Sequence, residues 1–253
     1  MDRHGKVHIR SVDKAFKILD LLASASEMSL GEIAKEMNSP KPTIHALLST
    51  MKEFRCVEQS DEGKYRLGIH LFELGSTRAN QWGFMKVSVP YLKKLQEIVD
   101  ETVQLVVFDE GEVLYLYKRE SRQSLRIVSE VGMRLPAHCT AVGKVLLSFL
   151  SDEQMEEIVQ KRGLKSFTKN TITSLENLRK ELLIIRSQGY GVDNEEVMEG
   201  LRCVAAPIVR PDGTAEAAVS ISGPIVRLRG EKLDYSIKNL LESVKEISVA
   251  LGK

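Results

Sequence analysis

The sequence predicts an α+β protein of two domains, a helical unit carrying a β-hairpin and then a sheet-bearing unit with helices packed on it. Three observations predict it. Apolar residues recur at helical spacing up to Phe54, in short stretches bounded by capping residues and prolines. Alternating apolar runs then appear around Gly-containing turns, once at 56–67 and repeatedly from Val103 onward. The length, 253 residues at 43% hydrophobic content, is enough for two cores.

In order, Ser11 can cap a helix to Ala25 whose buried stripe is Val12, Ala15, Phe16, Leu19 and Leu22. Ser29 and Glu32 form a capping box for the next, with Met28 packing on Ile33 and a stripe of Leu30, Ile33, Ala34 and Met37. Asn38 stops that helix, and Ser39 caps another whose first turn holds Pro40 and Pro42, where missing N–H groups cost nothing. Ile44, Leu47, Leu48 and Met51 face a core, which leaves Lys41, Thr43, His45, Ala46 and Ser49 outward. Two short helices joined by a tight turn, the second with small polar and cationic side chains on its outer N-terminal half, suit a helix-turn-helix that reads base edges. The competing reading is a helical hairpin in a bundle. The strand-like runs 56–59 and 64–67 flank a turn at 60–63, a hairpin that completes a winged helix and sets Lys64 and Arg66 beside the reader helix, near phosphates.

A helix at 69–78 with Leu71, Phe72 and Leu74 and another to Glu101 with Val89, Leu92, Leu95 and Val99 follow, with no Pro/Gly/Ser-rich linker between the halves. The expected boundaries are 1–68 for the DNA-binding domain, 69–82 for a linker helix and 83–253 for the second domain. There, strands are expected at 103–108 and 113–117 around Asp109-Glu110-Gly111, and at 125–128. Helices follow at 140–150, at 151–161 behind a Ser151/Gln154 capping box, and at 174–188 ended by Gly189. Strands return at 191–194, 203–209 and 215–222, the last two separated by Arg210-Pro211-Asp212-Gly213, before a helix at 233–250.

Net charge is +1, and residues 1–80 carry 12 Lys and Arg against 11 Asp and Glu, so any DNA footprint is local. Arg3, Lys6, Arg10, Lys14 and Lys17 face only Asp2 and Asp13, with His4 and His8 among them: a basic arm, or a solvated tail. No apolar run reaches membrane length and the start lacks a signal peptide's apolar segment, so a cytoplasmic protein is expected. Cys56, Cys139 and Cys203 are odd in number and widely spaced, which points to reduced thiols. No catalytic set or cofactor motif is present: no GxSxG, no HExxH, no phosphate loop.

Stretches 132–144, 191–204 and 218–224 are chemically odd. Alternation puts Ala218, Ser220 and Ser222 on one strand face, where buried hydroxyls need either backbone partners or an oxygen-rich ligand. Thr140, Ala141 and Val142 start a helix and offer backbone N–H groups to a carboxylate. The blander readings are that Ala141 and Gly143 are small because their helix lies close to the sheet, that Asp193 is a strand-end turn residue, that Glu195, Glu196 and Glu199 form a solvated acidic face, and that Cys203 is a small buried hydrophobe. His138 and Cys139 with Asp193 and Cys203 can be imagined as a metal site, without any recognised spacing.

Over nearly its whole length the chain resembles the IclR family of bacterial transcription regulators. SVDKAFKILDLL, LGEIAKEM, PKPTIHALLSTM and GKYRLGIHLFELG look like that family's DNA-binding half, and MRLPAHCTAVGKVLL, TITS, GYGVDNEE, GLRCVAAPI and SISGP like its effector half. The resemblance implies a winged helix joined by a linker helix to a GAF-like α/β effector-binding domain, working as a dimer or a dimer of dimers. It implies a pocket at Thr140, Ala141, Val142, Asp193, Leu201, Cys203, Ser220 and Ser222, with Met133 or Leu135 as apolar lining. The implied effector is a small carboxylate such as a keto acid, sugar acid or aromatic acid, and TITS and YGVDNEE look most like the branch that regulates sugar-acid breakdown. His45-Ala46 stands where many relatives carry a larger polar or basic residue, a departure that bears on the operator sequence. The expectation is a DNA-binding regulator, a repressor, contacting double-stranded DNA through Arg10, Lys41, Thr43, His45, Ser49, Lys64 and Arg66, with no catalysis, cofactor or membrane. The rivals are a metal- or redox-responsive regulator using His138, Cys139 and Cys203, and a GAF-like cysteine enzyme.

Overall fold

A computed structural model describes residues 9–123 and 129–252; the arm residues Arg3, His4, Lys6 and His8 and the strand expected at 125–128 lie outside the described residues. The chain divides into two compact units, Met1–Gly83 and Phe84–Lys253.

The first unit contains helices α1 (Arg10–Ser24), α2 (Leu30–Glu36), α3 (Lys41–Glu53) and α4 (Ile69–Gln81), with strands β1 (Val57–Gln59) and β2 (Tyr65–Leu67) between the last two. Its core joins Ile18 and Leu22 of α1, Ile33 and Ala34 of α2, Ile44, Leu48 and Met51 of α3, and Val57 and Tyr65 of the hairpin. The Ser29/Glu32 capping box forms, both arms closed. Asn38 takes the left-handed conformation at φ 43°, which a short amide side chain tolerates, and so turns the chain between α2 and α3.

Two expected caps do not form. Ile9, not Ser11, is the N-cap of α1, and Pro40, not Ser39, is that of α3; neither makes a side-chain cap. Ser39 instead accepts from Lys14 Nζ at 2.9 Å and donates to the Met37 carbonyl, tying α1 to the turn. The buried face of α1 is also rotated from expectation. Ile18 is fully buried, whereas Val12 and Phe16 are 48% and 63% exposed. Met28 exchanges both backbone hydrogen bonds with Tyr65, a single-residue bridge that ties the entry to α2 onto the wing.

The second unit opens with α5 (Gly83–Val99) and centres on an antiparallel sheet in the order β5-β4-β3-β8-β7-β6. Its strands are β3 (Thr102–Asp109), β4 (Glu112–Arg119), β5 (Arg134–Pro136), β6 (Gly191–Asn194), β7 (Leu201–Val209) and β8 (Ala215–Pro224). The β3–β4 turn places Glu110 at φ 48° and Gly111 at φ 90°, two left-handed residues in a tight hairpin whose twist matches its strands. β5 is a three-residue edge strand that alternation did not reveal. Helices α6 (Ala141–Leu147), α7 (Asp152–Arg162), α8 (Leu175–Gln188) and α9 (Glu231–Leu251) complete the unit, the Ser151/Gln154 capping box formed and Gly189 left-handed at the end of α8. α6 lies across β3, β4, β6, β7 and β8 and shares a core with Val106, Ala205 and Ala218. No helix among the described residues is long and apolar enough to cross a membrane.

Candidate functional site

In the first unit, α3 buries Ile44, Leu48 and Met51 and exposes Lys41, Thr43, His45, Ala46 and Ser49, the face read from the sequence. Lys41 carries no ion pair among the described residues. The wing cations differ. Arg66 lies between Glu58 at 3.3 Å and Glu27 at 3.6 Å, and Lys64 pairs with Glu62 at 3.3 Å, so their charge is already partly answered within the protein. Arg10 is exposed at the first residue of α1.

In the second unit, a cavity of about 570 Å³, counting the solvent-open space at its mouth, lies between the start of α6, the face of β3, β7 and β8, and the 195–200 loop. Its wall includes all eight residues expected there: Thr140, Ala141, Val142, Asp193, Leu201, Cys203, Ser220 and Ser222; Met133 and Leu135 add the apolar lining. They converge because β8 pairs with β3 on one side and β7 on the other, so Ser222 stands opposite both Thr102 and Cys203 in register. The Thr140 side chain caps α6 by accepting from Gly143 N at 3.1 Å, and the Ala141 and Val142 amides, in the first turn, have no intrahelical acceptor. Gly143 itself is a packing requirement: a Cβ there would collide with the Ala137 backbone of the preceding turn, rather than with the sheet.

Gln104, Tyr115, Ser129, Val197 and Met198 also line the wall and were not singled out from the sequence. Gln104, 2% exposed, accepts from Ser220 Oγ and Ser222 Oγ, each at 3.1 Å, and donates to Ser129 Oγ. The available signal was an amide inside the apolar run VQLVVF. Val197 and Met198 join the wall from the loop after β6, an arrangement only tertiary contacts create.

Asp193 is buried at 1% exposure and accepts from Glu196 N at 2.7 Å. Burial pushes its carboxyl up to about 7, although the Glu196 and Val197 amides and Lys144 oppose that, while the Glu196 charge adds to it. Glu196 is not on a solvated face: it is 5% exposed and bonded to Lys144, itself 1% exposed. Lys144 Nζ also donates to Glu181 Oε1 at 2.9 Å and the Val192 carbonyl at 2.7 Å. Thr171 Oγ1 donates to the Glu196 carbonyl at 2.6 Å and Thr168 Oγ1 to that of Glu195 at 2.6 Å, which pins the loop behind the cavity.

The thiols are held protonated. Burial, with Asp193 and Glu196 nearby, pushes Cys139 up to about 12 and Cys203 further. His138 turns away, its Nε2 against the Lys165 carbonyl at 3.0 Å in a separate cavity on the far side of the 137–139 turn, so it does not meet Cys203. Among the described residues, no three His, Cys, Asp or Glu side chains are grouped to hold a metal.

Residues 11–61 match the IclR helix-turn-helix domain, and residues 78–249 match the bacterial transcriptional regulator IclR C-terminal domain. The chain is 36% identical over 245 residues to the HTH-type transcriptional regulator KdgR of Escherichia coli (strain K12), covering 96% of this chain and 93% of that one. It is 32% identical over 248 residues to the transcriptional repressor IclR of the same organism, covering 96% and 90%. A crystal structure of an IclR homolog complexed with 4-hydroxybenzoate, from Microbacterium hydrocarbonoxydans, superposes with a TM-score of 0.85 at 25% identity, covering 95% of this chain and 98% of that one.

Proposed function

The chain belongs to the IclR family of DNA-binding transcriptional regulators, and from that premise we propose that it is a repressor controlled by a small carboxylate, a keto acid or sugar acid, bound in the cavity of the second unit. One observation carries the reading: small hydroxyl-bearing residues, the helix-start residues Ala141 and Val142 and a buried acid converge on one cavity, rather than dispersing through a core. The amides of Ala141 and Val142 suit a carboxylate, Ser220 and Ser222 suit hydroxyl groups at its other end, and Asp193 suits a hydroxyl or keto oxygen there. A relative that binds 4-hydroxybenzoate and another that is a repressor support both halves of the proposal.

The DNA contacts we assign are Thr43, His45 and Ser49 to base edges and Arg10, Lys41, Lys64 and Arg66 to phosphates. Palindromic operators require paired readers, so we also propose self-association. Ile9, Val12 and Phe16 at helical spacing on α1, and Ile69 and Phe72 on α4, leave apolar surface uncovered in the first unit, which supports it. A regulatory role fits the second unit better than a nucleophilic cysteine, because desolvation pushes both nearby thiols above the usual thiol range, away from the reactive thiolate.

The test is a melting-temperature screen of the full chain against keto, sugar and aromatic acids, followed by a gel shift on the DNA upstream of its own gene. A ligand that raises the melting temperature and releases that DNA is the expected result. Failure to bind any palindromic site at low salt sinks the proposal.

A further inference from the structure

Gln104 is an uncharged amide set into an apolar strand, nine-tenths and more buried, and aimed at the cavity rather than at a backbone partner. A carboxamide oxygen has two lone-pair directions, and here two hydroxyls fill them, Ser220 and Ser222. Its nitrogen donates to Ser129. Each serine has a single proton. Once that proton is turned onto Gln104, the serine offers the cavity lone pairs alone. Cys203 also lies within hydrogen-bonding reach of Ser222; a thiol sulfur is a weaker acceptor than an amide oxygen, so the Ser222 proton goes to Gln104, 3.1 Å away. Asp193 has one oxygen on the Glu196 amide and turns its carboxyl group to the same cavity. Lys144, the cation behind it, is taken by Glu196, Glu181 and the Val192 carbonyl.

We infer that Gln104 is the specificity-determining residue of this cavity: by holding both serine protons it makes that wall accept hydrogen bonds, so the ligand must carry hydroxyl donors at the end remote from its carboxylate. The inference rests on the cavity being the effector site and narrows the effector to hydroxylated acids. Unsubstituted acids leave the serine lone pairs unpaired. Dicarboxylates place a second negative group, which has no proton to donate, against them.

Three six-carbon probes test it by calorimetry on the full chain: D-gluconate, hexanoate and adipate. D-Gluconate is expected to bind at least about tenfold more tightly than hexanoate, the worth of one or two hydrogen bonds, and adipate not measurably. Gln104→Glu keeps an acceptor for both serines and is expected to preserve that order. Gln104→Met frees the serine protons to donate, and the preference is expected to shrink below about threefold. A wild-type protein that binds hexanoate or adipate as well as D-gluconate overturns the inference while leaving the cavity an effector site. So does an order of preference unchanged in Gln104→Met and reversed in Gln104→Glu, the outcome if the amide nitrogen faces the serines. If none of the three binds, and no keto, sugar or aromatic acid raises the melting temperature, the effector-site reading fails and this inference with it.

Discussion

Lys144 Nζ lies 2.5 Å from Glu196 Oε1, both side chains buried, one on the helix that starts the cavity and the other on the loop that closes it. A buried cation is tolerated only with its partners in place, so this pair fixes the 195–200 loop against α6.

Lys144→Met should therefore strand Glu196 without a counter-charge and destabilise the second unit by about 3–5 kcal/mol. Adding Glu196→Gln to it should recover a large part of that loss, since removing the pair together leaves only Glu181, the more exposed of the two acids, without its partner. Calorimetric unfolding of the single and double variants checks both, and an equal loss in the two would mean the ion pair is not what holds the loop.

Stability should depend on Asp193 in the direction opposite to a salt-bridged acid. Its carboxyl is raised to about 7 by burial, so between pH 4 and 7 the folded protein holds a proton that the unfolded chain has released. Its contribution falls as pH rises through that window. Asp193→Asn should stabilise the ligand-free protein at pH 8, on the order of 2–4 kcal/mol, and hardly at all near pH 4. Urea midpoints at the two pH values read the effect.

For DNA, His45→Ala and Thr43→Ala should each cost about 1–3 kcal/mol of discrimination between operator and scrambled duplex. Lys41→Ala should instead weaken both duplexes alike and lower the salt slope by about one. Arg66→Ala should do less than Lys41→Ala, because Glu58 and Glu27 already hold that guanidinium. Fluorescence anisotropy across a salt series, on operator and scrambled duplex, separates these effects.

Phe16→Ser with Phe72→Ser should shift the protein toward monomer in sedimentation velocity without unfolding it, because the two rings are 63% and 71% exposed in the single chain. Unchanged sedimentation would place the self-association surface elsewhere.

Much of this molecule is determined locally. The capping boxes at Ser29 and Ser151, the turn at Asn38, the outward face of α3 and the strands 191–194 and 215–222 follow from side-chain chemistry within a few residues, and the sequence alone specifies them. It also singled out eight residues that line the cavity, partly because hydroxyls alternating along a buried strand demand an explanation and partly through family resemblance. Tertiary structure decided the rest. α1 is apolar on two faces, so periodicity could not choose between Ile18 and Phe16, and only packing against α3 and β2 did. Ser39 was a plausible cap that Lys14, 25 positions away, claimed for another bond. Glu196 reads as a surface acid until a buried lysine 52 residues earlier is set beside it. Gln104 becomes the partner of Ser220 and Ser222 only when β3 and β8 pair across 116 and 118 positions. Such assignments depend on which distant group wins each donor or acceptor, a competition settled by three-dimensional proximity.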